Sequence, residues 1–152
     1  MKQTYIPVCR LLFIIFLIAG KPAGAQTNIT SCTVVFITPD CDGCDNKDHD
    51  TNIRISVFGA HGSEVASAYY TQDLEFKDDG SEHAVACSIT NNSGSAGAFA
   101  QKIVVTIEPN GNDDWVFQAR VLFTLSNGVT TRTDLRGQAS VSRGAPTAVL
   151  WK

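Results

Sequence analysis

Asp40-Cys41-Asp42-Gly43-Cys44-Asp45-Asn46-Lys47-Asp48-His49-Asp50 gathers five aspartates and two cysteines into eleven consecutive residues. Carboxylates held this close repel one another unless they face water or share a cation. Ca²⁺ takes about six to eight oxygens from carboxylates, carbonyls and water, and irregular loops of this kind supply them. Asp40, Asp42, Asp45, Asp48 and Asp50 are therefore candidate calcium ligands. The spacing is not that of an EF-hand. Counted from Asp40, Gly43 falls at the fourth position instead of the sixth, and Thr51 stands where a bidentate Glu belongs. The plainer reading is a solvated acidic loop that keeps the domain soluble and its sheet edges apart.

Other chemistries find less support. A four-thiolate zinc site usually shows two Cys-x-x-Cys pairs, and Cys41/Cys44 is the single such pair here. A redox role for that pair needs a helix start after the first cysteine to lower its pKa, and a train of carboxylates, which would raise it, follows instead. His49, His61 and His83 lack metal-hydrolase spacing, and Ser63, Ser67 and Ser81 lack a Gly-x-Ser-x-Gly context. Glu75 and Glu82 read as exposed strand carboxylates. No catalytic residue is expected.

Met1 to Ala25 reads as an export signal. Lys2 and Arg10 precede the apolar stretch Leu11–Ala19, and Pro22-Ala23-Gly24-Ala25 offers the small residues of a cleavage site. That stretch falls short of the about 20 residues of a membrane span, and no second one follows. The expected product is an exported chain, periplasmic or extracellular, with one domain over residues 26–152 and no transmembrane span. Loss of Lys2, Arg10 and Lys21 leaves 9 basic residues against 15 acidic ones, a formal charge of −6 instead of −3. So acidic a chain is a poor nucleic-acid binder. Direct attraction to anionic lipid is also disfavoured unless a bound cation bridges the two. In an oxidising compartment Cys32, Cys41, Cys44 and Cys87 are expected to form two disulfides. The preferred pairing is Cys41–Cys44 with Cys32–Cys87, and Cys32–Cys41 with Cys44–Cys87 is the close alternative.

Hydrophobic residues recur with period two and not with a helical period. Strands are expected over Cys32–Thr38, Asn52–Phe58, Val65–Thr71, His83–Ile89, Gln101–Glu108, Trp115–Leu125, Val129–Leu135 and Thr147–Trp151. Trp115, Phe117, Ala119, Val121, Phe123 and Leu125 line one face of the longest of these. Asn127-Gly128 signals a type I′ hairpin after it. Gly137–Pro146 reads as a loop, and Trp115 and Trp151 read as core or rim packing. About eight strands with turn-rich connections make an all-β antiparallel sandwich.

In order and spacing the chain resembles the lipoxygenase-homology β-sandwich family, the PLAT or LH2 domains. The carriers are Val34-Val35-Phe36-Ile37-Thr38-Pro39-Asp40, Asp50 to Gly59, Phe76-Lys77-Asp78-Asp79-Gly80-Ser81 and Trp115 to Val121. Lys47 to Thr51 and Pro109 to Trp115 also resemble segments of a group of exported bacterial proteins. The family resemblance implies a PLAT-like sandwich in which the Phe76–Ser81 turn comes to the same end as the acidic run. Asp78 and Asp79 would then join the calcium set. The cysteine-bearing insertion replaces the family's Ala-Gly-Thr before the second strand. Some members enter membranes on exposed aromatic loop tips, and none is evident in these loops.

These readings point to an exported, non-catalytic binding module. Its partner would be an envelope or extracellular protein, a lipid surface or a glycan, with Ca²⁺ at the acidic loop. The alternatives are a structural, disulfide-braced envelope protein without ligand, or a small secreted hydrolase or protease inhibitor.

Overall fold

The computed structural model describes residues 27–40, 47–71, 75–77, 79–92, 99–109 and 114–152. The expected export signal, Cys41, Cys44 and residues 110–113 lie outside the described residues. Nine strands run through them: β1 (Ile29–Ile37), β2 (Asn52–Phe58), β3 (Glu64–Tyr70), β4 (Glu82–Ile89), β5 (Lys102–Glu108), β6 (Asp114–Leu125), β7 (Thr130–Asp134), β8 (Ala139–Ser142) and β9 (Thr147–Trp151). No helix among the described residues is long and apolar enough to cross a membrane.

Every pairing is antiparallel, and the strand order is β7-β6-β1-β4-β3-β2-β5-β9, with β8 attached to β6. The sheet curls into two halves that share one core. One half is β7-β6-β1-β4 and the other is β3-β2-β5-β9. They join along a short seam in which Ala66 faces Ile89 and Ser67 faces Ser88. On the far side β8 lies against β9 and β5.

Alternation explains the packing. Ile53, Ile55 and Val57 of β2, Ile103, Val105 and Ile107 of β5, and the six apolar positions of β6 all point inward. The intervening residues form the outer faces. Trp115 closes the core at the end where β1 stops. Its ring meets Phe36, Phe76 and Phe117, and its indole N–H donates to the Thr38 hydroxyl oxygen at 3.0 Å.

Two expectations need correction. Ala139–Ser142 is a strand paired with Asp114–Phe117, not part of a loop. The reversal after β6 is not type I′, because no non-glycine residue among those described has positive φ. Gly128 alone, at φ 80°, adopts the left-handed conformation, and its N–H bonds to the Leu125 carbonyl. This is a type I turn closed by a glycine bulge, which matches strand twist with one left-handed residue instead of two.

Candidate functional site

The strands carry chemistry-bearing residues to opposite ends of the sandwich. At one end β1 stops, β2 starts and the Phe76–Gly80 turn crosses. The Lys47 and Phe76 backbones exchange hydrogen bonds at 3.3 and 3.0 Å, and the Gly80 N–H donates to the Thr38 carbonyl at 3.1 Å. Asp40, Asp48, Asp50 and Asp79 are thereby brought to one end, all exposed. Asp42, Asp45 and Asp78 lie outside the described residues. Among the described residues no three carboxylate, imidazole or thiol groups converge as a metal would require.

Two of the neighbouring groups already have tasks. Lys47 is buried, donates from Nζ to the Asp48 carbonyl at 2.7 Å, and stands 5.3 Å from the centre of the Phe76 ring. Asp79 accepts from the Ser81 backbone N–H at 2.9 Å. The Ser81 hydroxyl and that N–H together hold the Asp79 carboxyl below the usual carboxylate range. His83 stacks on Phe76 with ring centres 4.7 Å apart and meets the Ser81 hydroxyl at 3.0 Å. Asp79 thus accepts from Ser81, and the Gly80 N–H is bonded to the Thr38 carbonyl.

The opposite end has a different character. Register places Phe58 of β2 beside Lys102 of β5, and Lys102 beside Trp151 of β9. Their inward neighbours Val57, Ile103 and Leu150 fill the core, so all three project from the outer face. Lys102 Nζ lies 4.5 Å from the Phe58 ring centre and 5.0 Å from that of Trp151. Just before β5, Phe99 is 46% exposed, with Lys152 Nζ 5.6 Å from its ring centre. Trp151 is 57% exposed. The exposed Arg136 joins through its backbone N–H, which bonds to the Trp151 carbonyl at 2.6 Å. A cleft of about 290 Å³ opens between the Gly59–Gly62 turn, Gln101, Lys102 and Trp151.

Cations so placed over ring faces are attracted by the ring quadrupole while their ammonium groups still meet water. The same outer face turns polar toward the acidic end. There Arg54 stacks on Tyr69 at 4.6 Å, and Glu108 accepts from both, with the Tyr69 O–H at 2.6 Å. That bond raises the Tyr69 pKa. Glu64, opposite Phe58 on the β3 side, borders the polar region.

Sequence reasoning missed the aromatic end. It sought aromatic tips in loops, yet Phe58 and Trp151 lie on strand ends. Of the two residues read as core or rim packing, Trp115 is buried in the core and Trp151 is 57% exposed at the surface. The signal was the parity of β9, since an inward Leu150 puts Trp151 outside.

No protein-family model matches the chain, and no curated protein matches it. Its fold is similar to part of the crystal structure of Delta413-417:GS LOX, with a TM-score of 0.51 and 18% identity over 80% of this chain. The anaerobic structure of that LOX in complex with arachidonate gives the same TM-score and identity. The match spans 16% of the LOX chain. The architecture is therefore a PLAT-like β-sandwich of the kind found within lipoxygenases. At this level of identity the likeness is one of fold.

Proposed function

We propose that the chain is a non-catalytic docking module that seats its aromatic–lysine end on an anionic lipid surface. The observation that carries this reading is the row Phe58–Lys102–Trp151, continued by Phe99 and Lys152. Exposed Trp and Phe rings favour the boundary between headgroups and acyl chains. Each Lys or Arg close to an anionic leaflet adds about 1 kcal/mol of attraction. Net charge had argued against such a surface, but what acts at short range is the local distribution, because screening confines each charge to within about a Debye length of 8–10 Å. Asp40, Asp48, Asp50 and Asp79 sit at the other end, where they would point away from the lipid.

Calcium at Asp40, Asp42, Asp45, Asp48, Asp50, Asp78 and Asp79 is a separate proposal for that far end, as is export to the periplasm or beyond. Neither is needed for the docking reading. The fold likeness supports a binding role, and the outer face supports the choice of lipid over protein or glycan. Co-sedimentation with phosphatidylcholine vesicles, with and without phosphatidylglycerol, tests it. Binding that requires the anionic lipid and weakens with salt is expected. No binding to either vesicle overturns the reading.

A further inference from the structure

Cys32 and Cys87 are direct partners in the register of β1 and β4. Both side chains lie in the core, at 2% and 9% exposure, and the Cys87 thiol donates to the Val85 carbonyl at 3.8 Å. The Cys87 contact and burial together push the Cys32 thiol up, while the same contact draws the Cys87 thiol down against its burial. Directly opposed residues of an antiparallel pair have Cα atoms about 4.5–5.5 Å apart, inside the window a disulfide spans.

We infer that Cys32 and Cys87 are a disulfide site whose bond staples β1 to β4 beside the seam of the sandwich. Two residues of β4 beyond Cys87 complete that seam, Ser88 facing Ser67 and Ile89 facing Ala66. Core packing, β8 and the Arg136 N–H bond to the Trp151 carbonyl also hold the two halves together. A covalent tie at Cys87 fixes β4 immediately before it passes from one half to the other. The bond also closes a loop containing β2 and β3, which restricts the unfolded chain.

The chemistry is thiol–disulfide exchange. Each cysteine gives up its S–H proton, one S–S bond forms, and the two electrons reduce the disulfide of a donor to two thiols. The donor is oxidised glutathione or the disulfide of an oxidoreductase, and the compartment must permit it. Because both sulfurs are buried, the bond closes as the chain folds. Afterwards a reductant reaches it only when β1 and β4 part.

The test uses the whole chain refolded in a glutathione redox buffer. Remaining thiols are blocked with iodoacetamide, and the unreduced protein is digested with chymotrypsin. Cleavage after Phe36 separates Cys32 from Cys41 and Cys44. A linked peptide pair joining Cys32 to Cys87 is expected. Cys32 joined to Cys41, or both Cys32 and Cys87 carrying the blocking group, overturns the inference. The double variant Cys41→Ser/Cys44→Ser changes no residue of β1 or β4, and must still form the bond and lose several degrees of Tm when reduced after unfolding. Free Cys32 and Cys87 in that variant would equally refute the staple.

Discussion

Trp115→Ala removes the side chain on which the closed end of the core converges. Trp115 is fully buried, with ring centres of Phe117, Phe36 and Phe76 at 4.2, 5.0 and 5.5 Å. Truncating a buried Trp or Phe to Ala costs about 3–5 kcal/mol. Aromatic pairs add about 0.5–1.5 kcal/mol beyond the area they bury, and three are lost here. The hydrogen bond to Thr38 contributes about 1 kcal/mol more. These losses overlap and place the change in the upper part of the range, about 4–5 kcal/mol. Domains of this size are stable by about 5–15 kcal/mol, so the variant stands near its limit. With a urea m-value of about 1–3 kcal/mol/M, the midpoint falls by roughly 1.3–5 M. Urea unfolding followed by far-UV circular dichroism reads this. Trp115→Phe, which keeps a ring but loses the bond to Thr38, should lose about 1–2 kcal/mol and stays measurable if the Ala variant does not fold. A loss below about 1 kcal/mol for Trp115→Ala would refute the packing at this end of the sandwich.

Thermal melting in EDTA and in millimolar Ca²⁺ tests the acidic end: a rise in Tm abolished by Asp48→Asn with Asp50→Asn is expected of a calcium site, and an unmoved Tm removes calcium from that end. Asp79 titrates below the usual carboxylate range because Ser81 donates to it. A lowered folded-state pKa gives stability that is present above the unfolded value and is lost as pH falls through the folded one. Asp79→Asn should therefore flatten the acid limb of a Tm-against-pH curve below about pH 4, and parallel limbs would contradict the role of that turn. Lys102→Gln should weaken vesicle binding about fivefold, the equivalent of roughly 1 kcal/mol per lysine, without lowering Tm.

The fold was legible wherever one strand carries its own contrast. In β2, β5 and β6 apolar and polar residues alternate cleanly, and the inward faces match the expected ones residue by residue. Strand β8 was hidden because Val141 is the one large apolar residue among its four, and its pairing with Asp114–Phe117 supplies the reason to be extended. Strand β1 begins at Ile29, earlier than expected, because Thr30 and Ser31 are polar outward positions that pairing with β6 nevertheless holds. Asn127-Gly128 announced a reversal, but not that Gly128 alone would take positive φ.

Site legibility follows the same division. The acidic run is local, so its chemistry could be read from consecutive residues; Asp40, Asp48 and Asp50 lie at the same end of the sandwich, but no three such groups converge among the described residues. The aromatic–lysine row is not local. Phe58, Lys102 and Trp151 come from three distant segments and become neighbours only through the register of β2, β5 and β9. A reading confined to loop tips and net charge could not find it.

The docking claim is tested most directly by comparing the protein with its Phe99→Ala/Trp151→Ala variant on phosphatidylcholine vesicles carrying phosphatidylglycerol. Both rings are exposed, so the variant should keep its Tm, and any loss of binding then belongs to the surface. The expected result is salt-sensitive binding by the protein and little by the variant, with a blue-shifted tryptophan emission that only the protein shows. Equal binding by the two proteins, or none by either, would contradict the assignment of this end as the lipid-facing surface.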